Sequence, residues 1–257
     1  MRYDGITVAE ADGVTTITLN RPEVMNALNR GLRLDLTAAL RQAHRGRVIV
    51  LTGAGRAFCA GQDLGDADGF DAQGVEATLN DEYVPMIRAI TDAPVPVIAA
   101  VNGVAAGAGA NLALACDLVI ACESASFIQA FARIGLIPDA GGTSFLPRRV
   151  GMQRAMGAAL LAEPISARQA EAWGMIWEAV PDARFAEVVT ARARQLAAGP
   201  TAAYGALKQA MRGAFERDLD SQLAIEARLQ AACGQSADFR EGVTAFLAKR
   251  PAVFQGT

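Results

Sequence analysis

Imidazole and thiol chemistry are scarce in this sequence. There is one histidine, His44, and four cysteines, Cys59, Cys116, Cys122 and Cys233, in 257 residues. None of them forms a Cys-x-x-Cys pair, so the ligand spacing of a zinc site is missing. Strong charge of either sign is missing too: a net charge of −3 offers no basic field for nucleic acid or an anionic membrane. No apolar run reaches membrane-spanning length, and Met1-Arg2-Tyr3-Asp4-Gly5 lacks the apolar core of a signal peptide. A cytoplasmic protein is the default expectation. In a reducing cytosol the thiols read as small buried hydrophobes. Cys59 lies in a glycine-rich loop, which keeps a nucleophile open there if the fold brings His44 near. His44 itself, in His44-Arg45-Gly46-Arg47, reads as a solvated loop residue.

What is present is apolar: 52% of the residues are hydrophobic and 20% charged, enough for a sizeable core. Residues 6–9 and 14–19 read as strands joined by Ala11-Asp12-Gly13, a hairpin pattern. Leu28, Leu32, Leu34, Leu36 and Leu40 follow a helical period. Residues 48–52, 97–101 and 117–121 read as strands, 126–128 as a short one, and 75–90 as a helix. Residues 53–69 and 102–110 read as glycine-rich loops, with a helix over 111–115. Helices are expected over 152–161, 167–173 and 185–198. Past Gly199-Pro200 come only helical patterns, over 202–212, 219–232 and 236–249. The expected organisation is an α/β core over 1–198 and a helical region over 199–257.

Two features carry chemistry. The first is Asp139, set among Ile137, Pro138, Ala140 and Gly141 with no charge partner in sequence. Apolar surroundings would raise its pKa toward the range useful for proton transfer; an Asp before two glycines is equally a turn former or helix cap. The second is the pair of glycine-rich loops that each follow a Val/Ile-rich strand. Phe58 and Leu112 stand where a dinucleotide fingerprint needs its third glycine, and neither loop contains Gly-Lys-Ser/Thr. Small residues let backbone N–H groups approach a ligand oxygen as an oxyanion hole. They equally allow tight helix–strand packing, and the residues alone leave both open.

The motifs combine into a pattern. Asn20-Arg21-Pro22 with Asn26-Ala27-Leu28, Phe58 to Leu64, Ala100-Val101-Asn102-Gly103 with Gly107 to Leu112, Cys116-Asp117 and Gly141-Gly142-Thr143 together resemble the enoyl-CoA hydratase/isomerase (crotonase) superfamily over residues 6–254. The resemblance implies a spiral of repeated ββα units with a helical C-terminal region used in trimerisation, a homotrimer or dimer of trimers, and acyl-CoA substrates. It implies no metal and no cofactor beyond the CoA of the substrate. It places the oxyanion donors at the backbone N–H groups of Gln62 and Ala108. Ala60, Gln62, Asp63, Leu64 and Ala108 would meet the CoA ester, and Phe246 and Lys249 would reach CoA from a neighbouring subunit; these last two otherwise read as a solvent-facing helix with one core aromatic.

Hydratases of the superfamily use two glutamates, and here those positions hold Asn111 and Phe131. Two-glutamate hydration is therefore not expected. Asp139 remains, and isomerases of the superfamily need one carboxylate, which moves a proton from C2 to C4 of the acyl chain. Asp139 with Gly141-Gly142-Thr143, Trp173-Gly174-Met175-Ile176-Trp177 and residues 236–242 looks closest to the isomerases that convert an arene-epoxide CoA ester to the seven-membered oxepin. A Δ3,Δ2-enoyl-CoA isomerase of linear chains and a CoA-binding scaffold with lapsed catalysis are the alternatives. Phe131 and Phe145 are candidates for lining an acyl pocket.

Overall fold

A computed structural model describes residues 3–65 and 72–257. The chain begins with a hairpin, β1 (Ile6–Ala11) antiparallel to β2 (Val14–Leu19). Its turn, Asp12-Gly13, holds φ of 53° and 77°, the left-handed pair whose twist suits a two-residue hairpin. Helix α1 (Arg30–Ala43) starts at Asn29, whose side chain accepts from the Leu32 N–H. It buries Leu32, Leu36 and Leu40. The five leucines of the helical period do not share one face: Leu28 lies before the helix, and Leu34 is exposed.

The next strands come in pairs. They are β3 (Val48–Gly53) and β4 (Ala57–Cys59), β5 (Val97–Val101) and β6 (Val104–Ala106), then β7 (Leu118–Cys122) and β8 (Ser126–Ile128). The first member of each pair enters one sheet and the second member another. The larger sheet has six strands in the order β1-β2-β3-β5-β7-β10, the smaller four in the order β4-β6-β8-β9. Here β9 is Ile165–Ser166 and β10 is Glu178–Val180. Neighbours within each sheet are parallel except for β1 with β2 and β8 with β9.

Helices return the chain between pairs. α2 (Ala72–Thr78), a π-turn over Leu79–Tyr83 and α3 (Val84–Thr91) precede β5, and α4 (Ala108–Ala115) joins β6 to β7. A 3₁₀ turn over Ala130–Ile134, α5 (Gly142–Val150) and α6 (Met152–Leu161) follow β8. α7 (Ala167–Ala172) leads to β10, and α8 (Phe185–Ala197) packs Val188, Val189 and Leu196 on the outer face of the larger sheet. α9 (Thr201–Arg212), α10 (Leu219–Gly234) and α11 (Ala237–Leu247) complete the chain. This is the spiral of ββα units that the resemblance implies.

Several local expectations are corrected. β4 and β6 lie inside stretches that read as glycine-rich loops, because three-residue strands leave no periodicity to detect. The expected loop over 53–69 also runs into residues 66–71, outside the described residues. α4 starts at Ala108, three residues before the expected helix. α5, with Pro147 inside it, β9 and β10 were not anticipated. The expected helix over 75–90 is divided by its π-turn.

The crossing of β4 with α4 is close. A Cβ on Gly109 would overlap the carbonyl oxygen of Cys59. Gly109→Ala is accordingly expected to lower unfolding free energy by about 1–3 kcal/mol, readable as a lower urea midpoint.

Candidate active site

Where β4 ends, the chain passes between two backbones. Leu28 donates to the Gly61 carbonyl at 2.7 Å and accepts from the Asp63 N–H at 3.2 Å. This one-residue parallel bridge turns the N–H of Gln62, the residue between, away from Leu28. On that opposite side lies the start of α4: a Cβ on Gly61, at φ 93°, would stand 2.7 Å from the Ala106 oxygen and 3.3 Å from the Ala108 nitrogen. Ala108 is the first residue of α4 after Gly107, so its N–H has no carbonyl to meet within the helix. The two donors expected from the resemblance are thus neighbours in space, and Gln62 and Ala108 line one cavity.

The motif asparagines hold this arrangement from behind. Asn26 donates to the carbonyls of Ala54 and Ala57 at 2.9 and 2.8 Å. Asn102 accepts from the Gly53 N–H at 3.1 Å and donates to Gly55 at 3.0 Å. Both residues shape the turn between β3 and β4 without entering the cavity.

The cavity has a volume of about 400 Å³. Asp139, in the turn before α5, lines the same cavity as Gln62 and Ala108. The cap reading does not hold: α5 begins at Gly142 with Gly141 as its N-cap and no side-chain cap bond. One carboxylate oxygen of Asp139, Oδ1, is buried without a hydrogen-bond partner among the described residues. Burial raises its pKa from 3.8 to about 6. Phe131 lines the same cavity. Phe145 lines a second hollow, of about 630 Å³, which shares Leu79, Tyr83 and Asp139 with the first.

Sequence reasoning missed another part of the cavity lining. Arg33, 3% exposed, donates to the Leu28 carbonyl and to Gln62 Oε1 at 2.6 and 2.9 Å. Its guanidinium meets Glu82 at 2.7 Å, and Arg30 meets the same carboxylate at 3.2 Å. Tyr83 donates its hydroxyl to Gln62 Oε1 at 2.6 Å, and burial raises its pKa. This network ties the Gln62 side chain to α1 and to the π-turn. A π-turn amid helix is a pattern found at functional sites, but it leaves no trace in hydrophobic periodicity.

The other expected residues divide between the cavity and the rest of the protein. Ala60 and Leu64 line the cavity with Gln62 and Ala108. Asp63 does not line it: Arg21 holds its carboxylate at 2.8 Å and lowers its pKa. Phe246, 83% exposed, lines a separate groove beside Pro200 and Phe254, and Lys249 is exposed beyond α11. Cys59 is buried, donates to the Asn26 carbonyl, and has its pKa pushed up to about 12 by desolvation. Such a thiol is no nucleophile. His44 is half-buried rather than solvated, its Nε2 2.7 Å from the Ala89 carbonyl oxygen. Among the described residues no three His, Cys, Asp or Glu side chains gather as a metal site, and no helix is long and apolar enough to cross a membrane.

Residues 9–257 match the family model for enoyl-CoA hydratase/isomerase. The chain belongs to this family. It is 59% identical to a "Probable enoyl-CoA hydratase" of Rhodobacter capsulatus over 100% of both chains. It is 51% identical to 1,2-epoxyphenylacetyl-CoA isomerase of Escherichia coli over 95% of both chains. An enoyl-CoA hydratase structure from Bacillus anthracis aligns with a TM-score of 0.93 at 34% identity, covering 99% of this chain and 100% of that one. The fold is the crotonase fold, and the protein is an enzyme of the family that acts on CoA thioesters.

The raised pKa of Asp139 has a cost in stability. An acid whose folded value lies above its unfolded one favours folding fully below about pH 4 and loses that contribution as pH climbs through about 6. The stability of the Asp139→Asn variant relative to the unaltered enzyme is therefore expected to rise by up to about 3 kcal/mol between about pH 4 and pH 7. Denaturant melts at the two pH values check this.

Proposed function

We propose that this enzyme isomerises acyl-CoA thioesters, with Asp139 as its single acid–base and the N–H groups of Gln62 and Ala108 as oxyanion donors. The observation that carries this reading is a half-buried carboxylate with one unpartnered oxygen, set in the same cavity as two glycine-backed N–H groups. Asp139 takes a proton from C2, beside the thioester. The electron pair moves onto the thioester oxygen, where the two donors stabilise it. The same carboxyl group returns the proton at C4. A proton shuttle of this kind requires neither a metal nor a redox group, and CoA enters only as part of the substrate.

For the acyl group we propose the ring 1,2-epoxide of phenylacetyl-CoA, converted to the seven-membered oxepin-CoA. Likeness to the Escherichia coli isomerase along 95% of the chain supports this, as does the aromatic wall at Phe131. Phe246 and Lys249 are assigned to CoA held by a neighbouring subunit of a homotrimer or dimer of trimers. In support, α10 buries none of its residues within one chain, and Leu219 and Leu223 on it are exposed. We place the enzyme in the cytoplasm, where its thiols stay reduced. A scaffold with lapsed catalysis would leave Asp139 turned outward as a cap, which does not fit a carboxylate lining the cavity.

Hydration is the second reading. It is favoured by the name of the Rhodobacter capsulatus relative and by Glu82, a second carboxylate in the cavity. Arg30 and Arg33 hold that carboxylate, which leaves it poorly placed to exchange protons. A panel of 1,2-epoxyphenylacetyl-CoA, 3-hexenoyl-CoA and crotonyl-CoA, with isomerisation and hydration followed separately by absorbance, distinguishes the readings. Turnover of the epoxide ester is expected to exceed that of the linear esters; faster hydration of crotonyl-CoA would overturn the assignment.

Asp139→Asn is expected to remove about 10²-fold or more of activity. Because the base must start ionised, kcat/KM should rise with pH through about 6 and then level off. A flat profile from pH 5 to 8 would exclude Asp139 as the group that takes the proton.

A further inference from the structure

The Asp139 carbonyl oxygen accepts two hydrogen bonds, from the Gly142 N–H and from Asn111 Nδ2, each at 2.8 Å. Asn111 Oδ1 in turn accepts from Gln129 Nε2 at 2.9 Å. Asn111 is 0% exposed and Gln129 1%. The polarity of this relay is forced. A carbonyl can only accept, so Asn111 must turn its amide nitrogen to Asp139 and its oxygen to Gln129, which must then present its own nitrogen. The far end pays for this: Gln129 Oε1 is buried with no partner among the described residues. A pair of apolar side chains would fill the same volume without an orphaned oxygen.

The turn being held is itself strained. Ala140 and Gly141 both sit in the left-handed region, at φ 47° and 83°, and Ala140 carries a Cβ there. Gly142 is needed as glycine, since a Cβ on it would overlap the Asn111 amide. Asn111 also stands one helical turn after Ala108 on α4. The relay therefore refers the carboxylate and one oxyanion donor to the same rigid helix.

We propose that Asn111 and Gln129 are positioning residues of the isomerisation, an amide relay that pins the Asp139 peptide to α4 and sets the spacing between the carboxylate and the oxyanion donors. The inference rests on Asp139 being the acid–base. Position 111 then has a double effect: where hydratases of the family carry a glutamate, this chain places the amide that steadies its remaining carboxylate. A carboxylate at 111 could not donate to the Asp139 carbonyl.

Gln129→Leu and Gln129→Met remove the relay's end together with its orphaned oxygen. In steady-state assays on 1,2-epoxyphenylacetyl-CoA or 3-hexenoyl-CoA, whichever the unaltered enzyme turns over, kcat is expected to fall about 10- to 100-fold with KM changed less than about threefold. Thermal stability is expected to hold or fall slightly, because the orphaned Gln129 Oε1 is gone but the buried Asn111 Oδ1 loses its donor. Asn111→Asp should lower kcat similarly. Added to Asp139→Asn, Gln129→Leu should cost no further activity, whereas a merely structural role would lower the residual rate again. If Asp139→Asn is inactive but both Gln129 variants keep kcat within twofold, the relay is refuted and the acid–base assignment stands. If Asp139→Asn turns over like the unaltered enzyme, the acid–base reading falls first. Should either Gln129 variant fold poorly, a ¹³C-carboxyl NMR titration of Asp139 in the other decides: movement toward the ordinary carboxylate range supports the relay, and an unmoved titration overturns it.

Discussion

Backbone passes backbone at the start of α4, and the small residues there are the condition for everything else in the site. Gly61 leaves room for Ala106 and the Ala108 nitrogen, and Gly109 leaves room for the Cys59 carbonyl. Because α4 can rest directly on β4, its first N–H comes beside that of Gln62. Side-chain donors could be redirected by rotamer changes; backbone donors cannot, so their aim depends on the packing of whole elements. The same contact explains why residues far from the cavity matter. Asn26 and Asn102 hold the turn between β3 and β4, and through it the position of the strand on which α4 sits.

Two carboxylates line the cavity in different surroundings. Glu82 forms ion pairs with Arg30 and Arg33. Among the described residues Asp139 has no such partner, and burial moves it toward the neutral form. Both groups line the cavity, and only the carboxylate of Glu82 is held by arginines. The arrangement trades stability for chemistry: a buried carboxylate without a counter-charge opposes folding at neutral pH.

Much of the site was legible in the sequence because its constraints are constraints on residue type. Glycines and alanines after two apolar strands, a lone Asp in an apolar stretch, and Asn111 and Phe131 at glutamate positions are all visible without a fold. Other parts were not. Arg33, Glu82 and Tyr83 come from a helix face and a π-turn, and each alone reads as an ordinary amphipathic residue. Asp63 and Gln62 are adjacent in sequence yet have different environments, since only the structure shows Arg21 reaching Asp63. The short strands β4 and β6 hid inside apparent loops because three residues carry too little pattern.

The sequence by itself determined the family, the spiral of ββα units, the small residues that permit close approach, and the Asn and Phe at positions 111 and 131. Only the tertiary structure decided that Asp139 lines a cavity instead of capping α5, that Gln62 and Ala108 are neighbours, that Cys59 is buried beyond reactivity, and that Asn111 bonds the Asp139 peptide. The physical reason is one of range. Propensity and periodicity act over a few residues along the chain, whereas desolvation and hydrogen-bond polarity are set by groups such as Asn111, Gln129 and Asp139 that meet only when α4, β8 and α5 pack.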